Sequence, residues 1–306
     1  MIPPTLSITF TKRLAQCLNP SLPDGVHLKT LEVYMLVLRR LSRPALIGDL
    51  ALYSAGLFPL FQYASTRVKP ILLQIFEDYF MPLGGALAPA VSGLMLALLP
   101  GLEEEQAEAY PHVLSLLQRL EMAVGVHCFM TALWGCMLLC PQSRLAAVNY
   151  LTVTVPRSVT DILRHIPDAS TALQALLASM HDVNVMVQRK VLELLISHFP
   201  LAVVVSNGFP LDRSALLTGS ANTAVSTETD AQGRTIWLCP IFSEQQTLSL
   251  LSGATDVLLR HDVSLNRRFY LWLLGTPPHQ PASAGSAEPN GDHNTSDEHK
   301  LPHTPT

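Results

Sequence analysis

Apolar residues recur three and four positions apart along most of this chain, the spacing of a helix that buries one face and wets the other. Over 26–41, Leu28, Leu31, Met35 and Leu38 share one side, while Lys29, Glu32, Arg39 and Arg40 take the opposite one. A second stripe over 70–80 joins Leu72, Ile75, Phe76 and Tyr79 against Gln74, Glu77 and Asp78; Pro70 suits the first turn, and Pro82 with Gly84 and Gly85 is expected to end it. A third helix is predicted over 112–124, with Val113, Leu116, Leu117, Leu120 and Val124 inward. Glu103, Glu104 and Glu105 precede it and are expected at the positive end of its dipole. Over 183–199, Val187, Val191, Leu194 and Leu195 line one face, and Arg189, Glu193 and Ser197 another. Two further helices are predicted over 244–260 and 264–274, the last with Ser264 as its N-cap and Gly275, Pro277 and Pro278 as its stop.

Breaks at Pro44, Pro59, Pro82, Pro100, Pro141, Pro156, Pro167 and Pro200 cut the chain into short helices that can only bury their stripes against neighbours. The expected fold is therefore all-α: an irregular HEAT- or armadillo-like α-solenoid of helical hairpins. Asp182, Val187 and Arg189 match, loosely, the second helix of a HEAT-type repeat, and no strict sequence period accompanies them. Two segments depart from the pattern. Residues 206–235 are polar and small, which predicts a flexible insertion between helices, and 276–306 is a Pro-, His-, Ser- and Asn-rich stretch expected to be a disordered tail.

Composition narrows the function classes. With 48% hydrophobic and 14% charged residues, the chain has enough apolar surface to fold over most of its 306 residues. A net charge of −4 lacks the dense basic face that phosphate backbones require, so nucleic acid is not an expected partner. The five cysteines, Cys17, Cys128, Cys136, Cys140 and Cys239, show no C-x-x-C spacing, and neither a disulfide framework nor a metal site is expected. Cys136 and Cys140 share a helix face, where small buried thiols are the expected role. The start, Met1-Ile2-Pro3-Pro4, lacks the basic and apolar regions of a signal peptide. No G-x-S-x-G, phosphate-loop, dinucleotide or H-E-x-x-H motif is present, so no catalytic, cofactor-binding or metal-binding residue is assigned.

One run competes with the solenoid reading. Residues 122–140 carry no charge and approach the ~20 residues needed to cross a bilayer. Gly125, His127 and a mid-run Trp134 argue instead for a buried helix that begins after Gly125. An integral membrane component anchored by 122–140 is the alternative.

The stretches LYSAGLFPLF, VKPILLQIFEDYFMPLG and SGLMLALLPGLEEE within 50–105 resemble the amino-terminal domain of the Dopey family. So do KRLAQCLNPSLPDGVHLKTLEVYMLVL (12–38), LLQRLEMAVG, TALWGCMLLCPQSRLAAVNYL and LLRHDVSLNRRFYLWLLG (258–275), in the family's order. The resemblance covers 12–275 and implies a non-enzymatic scaffold or adaptor in vesicle-mediated protein transport between endosomes and the Golgi or trans-Golgi network. It implies a cytosolic protein, peripheral on those membranes, whose partners are a large Sec-seven-related Golgi scaffold and a phospholipid flippase. No cofactor follows from it. The segment 1–11 does not resemble the family's longer amino terminus, so an early helix is expected to be missing or replaced. Where family members continue into a long carboxy-terminal region, this chain has its tail, as a partial gene model or a short isoform.

Overall fold

Local side chains set where several helices begin. Asp168 accepts the backbone N–H groups of Ser170 and Thr171, Asn184 accepts that of Met186, and Ser243 forms a reciprocal capping box with Gln246. The computed structural model describes residues 4–155, 164–201, 204, 209–211, 226–229, 235–239 and 241–275. In order, its helices are α1 (Pro4–Gln16), α2 (Asp24–Arg40), α3 (Arg43–Gly48), α4 (Leu50–Tyr63), α5 (Lys69–Ile75), α6 (Val91–Leu98) and α7 (Tyr110–Val124). They continue as α8 (Val126–Leu139), α9 (Arg144–Thr154), α10 (Ala169–Met180), α11 (Val185–His198), α12 (Glu244–Asp256) and α13 (Val263–Leu274).

The helices stack in two rows. One row runs α1, α4, α6, α8, α10, α12, each packed on the next; in the other, α9 packs on α11 and α11 on α13. The hairpins α8–α9, α10–α11 and α12–α13 therefore lie side by side, as in a HEAT-like solenoid. A single apolar core threads between the rows from Leu14 to Trp272. The predicted stripes supply it: Leu31, Leu38, Leu72, Ile75, Phe76, Val113, Leu116, Leu117, Leu120, Val187, Val191, Leu194 and Leu195 are all buried. Each such side chain contributes about 1.5–3 kcal/mol through burial, so neighbouring helices, not intrinsic propensity, hold these short segments helical.

Several expectations need correction. Pro59 does not break the chain but lies inside α4, where a missing N–H costs a single ladder bond and the flanking Leu57, Phe58, Leu60 and Phe61 are buried. Pro82 does not end the second stripe: α5 passes into a π-helical turn, Phe76–Phe80, and a 3-10 segment, Met81–Ala90. The turn falls at Gly84, whose φ of 59° and ψ of −133° only glycine adopts without strain. The three glutamates do precede α7, as expected, but five or more residues ahead of its start at Tyr110, with Pro111 in the first turn. The N-cap of α13 is Asp262, which accepts the N–H of Leu265; Ser264 lies inside the helix and accepts from Arg268.

The membrane alternative meets a broken helix. Gly125, with φ 86° and ψ 147°, ends α7 and begins α8, so 122–140 is split and α8 has 14 residues. Phe129, Met130, Leu133, Trp134 and Met137 of α8 are buried inside the protein. Among the described residues one helical run is long and apolar enough to cross a bilayer, Lys69–Leu102, and it contains the Gly84 turn. Its Leu72, Ile75, Phe76, Phe80, Leu87, Leu94 and Leu98 have no exposure at all.

Within 206–235 the structure shows strand where a flexible insertion is expected. β1 (Phe209–Leu211) and β2 (Ser226–Thr229) flank β3 (Thr235–Cys239) in an antiparallel sheet, with Phe209 opposite Cys239 and Ser226 opposite Leu238. The β-branched and aromatic run Thr235-Ile236-Trp237 has strand character that the polar composition around it conceals. The rest of the insertion and the tail at 276–306 lie outside the described residues. Most of the set-apart segment 1–11 is helical, since α1 begins at Pro4.

Candidate partner-docking groove

Charged side chains tie successive hairpins together in a ladder. Arg144, the first residue of α9, donates from Nη1 to Asp182 in the turn before α11 at 2.7 Å, and both side chains are largely buried. Arg189 on α11 repeats the move one hairpin further, reaching Asp262 in the turn before α13 at 3.0 Å. Arg268 closes the same interface from α13 with two donations to Glu193 Oε1, at 2.9 and 2.7 Å, and Arg260 donates to the Asp182 carbonyl at 2.8 Å. Asp182 and Arg189, singled out in the sequence, thus sit on consecutive rungs. Planar, always-charged guanidinium groups suit this role because one arginine can donate to several carboxylate or carbonyl oxygens at once.

The paired carboxylates give the fold a pH dependence. Arg119 donates to Glu77 Oε1, and with His112 at 3.1 Å it holds the Glu77 carboxyl below its usual range despite some desolvation. Burial alone raises Glu193, but Arg268 and Lys190 outweigh it and hold this carboxyl lower as well. A lowered folded-state value means that the stabilisation is fully present above the ordinary carboxylate range and is lost as pH falls through the folded values. The midpoint of thermal unfolding is expected to drop at acid pH, and Glu77→Gln with Glu193→Gln to flatten that drop in a pH series followed by circular dichroism.

Along one side of the first row an open groove runs between α6 and α8. Val91, Ser92 and Leu96 form one wall and His127, Cys128, Thr131, Gly135 and Leu139 the other, enclosing about 520 Å³. Leu96 and Cys140 also line a second depression of about 520 Å³, which continues the surface toward Lys69, Glu103 and Glu104. Leu139 is 78% exposed there, an unusual position for a leucine on a helix whose other face is core. At the acidic end, partial burial and then the neighbouring Glu104 raise the Glu103 carboxyl against the opposing pull of Lys69. The groove thus offers apolar walls with a negative rim.

The Cys136 thiol and several histidines have structural partners. The Cys136 thiol lies against the Ser92 carbonyl at 3.8 Å, and burial followed by the Cys140 thiol pushes it up to about 12, so it is inert rather than nucleophilic. Among the described residues no three His, Cys, Asp or Glu side chains converge as metal ligands. His198 is buried between the Ser197 hydroxyl at 2.7 Å and the Val155 carbonyl at 3.0 Å, which fixes the ring between helices. His112 meets Glu77, and His181 meets Asp256 at 3.3 Å across α10 and α12. The groove residues Leu96, Leu139, Glu103 and Glu104 were not marked as a site by sequence; a leucine stripe reads as core until its neighbours are known.

Stacked hairpins with an arginine–aspartate ladder and an open lateral groove define an irregular α-solenoid of HEAT type. The family model described as Dopey, N-terminal matches residues 2–239, which include most of the segment set apart at 1–11. The chain belongs to the Dopey family. It is 39% identical over 273 residues to Protein DOP1B of Mus musculus, an alignment covering 88% of this chain and 11% of that protein. Protein DOP1 homolog of Drosophila melanogaster is 33% identical over 281 residues, 90% of this chain and 9% of the relative. Protein DOP1 of Saccharomyces cerevisiae is 24% identical over 326 residues, covering 92% and 17% respectively. The chain therefore spans about a tenth of the mouse and fly relatives' length. No solved structure matches it.

Proposed function

We propose that this chain is a non-catalytic scaffold domain in vesicle-mediated protein transport between endosomes and the Golgi or trans-Golgi network. Membership of the Dopey family, matched over residues 2–239, is the observation that carries this reading. In this reading apolar side chains of a partner helix enter between Leu96 and Leu139, and a basic residue at its end meets Glu103 and Glu104; the open groove lined by these residues supports it. The partners are a large Sec-seven-related Golgi scaffold and a phospholipid flippase, and the protein works from the cytosol, peripheral on Golgi, trans-Golgi network and endosome membranes.

Affinity capture tests the function and the groove together. The wild-type chain is expected to recover these two partners from a Golgi-enriched extract, and Leu96→Asp with Leu139→Asp to lose them while keeping its helical circular dichroism. Recovery of neither by the wild type overturns the trafficking role; equal recovery by the variant overturns the groove.

A further inference from the structure

The turn between α2 and α3 carries the chemistry of a covalent modification site. Arg39 and Arg40 close α2, and Ser42 follows just ahead of α3. Ser42 is the one serine or threonine in the chain with arginine both two and three positions before it; the other arginine pair, Arg267 and Arg268, leads to Tyr270 instead. A protein kinase that selects for arginine reads such a pair with carboxylates, because each planar guanidinium can donate two parallel hydrogen bonds to one carboxylate.

The structure leaves both halves of the motif available. Arg39, Arg40, Ser42 and Arg43 are all exposed. Among the described residues no carboxylate engages these three arginines, whereas Arg119, Arg144, Arg189 and Arg268 are each paired with one. The Ser42 side chain makes no capping hydrogen bond to α3, so its hydroxyl is not committed to holding the fold. Leu41 and Ser42 are extended, with φ −76° and ψ 135° and with φ −71° and ψ 152°, which presents the hydroxyl clear of both helices for a transfer that depends mainly on positioning. The Leu41 N–H bonds to the Val37 and Leu38 carbonyls, at 3.1 and 3.3 Å, are the last that fasten the arginine turn, and helix ends of this kind open at little cost.

We propose that Ser42 is a phosphorylation site for an arginine-directed protein kinase, with Arg39 and Arg40 as the residues the kinase recognises. In the reaction the Ser42 Oγ attacks the γ-phosphorus of a nucleoside triphosphate and its bond to the β,γ-bridging oxygen breaks. The hydroxyl proton passes to the catalytic carboxylate of the kinase, and a nucleoside diphosphate leaves. The product sets a phosphate of charge about −1.5 to −2 among three arginines, which takes the turn from strongly cationic to roughly +1.

The folded full chain, incubated with the catalytic subunit of a cyclic-nucleotide-dependent protein kinase and labelled ATP, is expected to take up about one phosphate, at Ser42 by mass spectrometry. Ser42→Ala is expected to abolish that uptake, and Arg39→Gln with Arg40→Gln to lower kcat/KM about 100-fold. The folded chain is expected to react within about tenfold of a synthetic peptide spanning 36–47, because the hydroxyl is already exposed and extended. All three positions are exposed, and unchanged helical circular dichroism checks that the variants fold. Chain recovered from cells treated with a phosphatase inhibitor is expected to carry the same phosphate. Uptake only at other residues, uptake indifferent to loss of the two arginines, or a folded chain slower than the peptide by more than about tenfold overturns the proposal. So does an unmodified Ser42 in the chain recovered from cells.

Discussion

Replacing Asp182 by alanine is expected to lower the free energy of unfolding by about 3–5 kcal/mol, the cost of leaving a buried charge without its partner. Asp182 Oδ2 accepts from Arg144 at 2.7 Å, and the two side chains are only 9% and 13% exposed, so solvent cannot replace the lost carboxylate. Its Oδ1 also accepts the N–H of Asn184 at 2.8 Å, which shapes the turn into α11. Arg144 would keep its donations to the Met137 and Leu138 carbonyls, at 3.0 and 3.2 Å, but with an uncompensated charge between two hairpins. Arg144→Met combined with Asp182→Leu is expected to cost much less than either single change, since no buried ion remains. Urea unfolding of the two single variants and the double one measures the coupling directly. A single-variant cost within about 1 kcal/mol means that the rung behaves as an exposed ion pair and does not bind the hairpins.

Trp134→Ala is the second large effect, again about 3–5 kcal/mol, through loss of a buried indole and the cavity it leaves. Trp134 is 2% exposed at the centre of α8, and its Nε1 donates to the His165 carbonyl at 2.8 Å, tying that helix to the residues ahead of α10. Trp134→Phe separates the two contributions. It keeps most of the volume but leaves the carbonyl without its donor, at about 1–3 kcal/mol. Equal destabilisation by the two variants, read from urea midpoints and slopes, shows that the hydrogen bond and not the volume carries the position.

Much of this fold was legible because its information is local. The stripes over 26–41, 70–80, 112–124 and 183–199 correspond to helices whose named apolar residues are largely buried, and the break at Gly125 is where φ turns positive. What failed locally failed for tertiary reasons. Pro59 sits inside α4 because packing on both sides outweighs one absent hydrogen bond. Ser264 and Asp262 are both good capping residues two positions apart, and the cap falls on Asp262, which also accepts Arg189 from the previous hairpin. The strands of the insertion went unread because Thr235-Ile236-Trp237 is short and surrounded by turn-forming residues. The groove had no legible signal: Leu96 and Leu139 belong to the same leucine-rich pattern as Leu94 and Leu133, which are fully buried.

Periodicity of three to four residues determined by itself that this chain is a series of amphipathic helices, and the order of its motifs determined its family. Which faces those helices cover was decided only by the stack. An apolar side chain next to another helix is core, and the same side chain beyond the last neighbour is a surface for a partner. That difference depends on distances between residues far apart in the chain, such as Arg144 and Asp182 or Leu96 and Leu139, which no local spacing encodes.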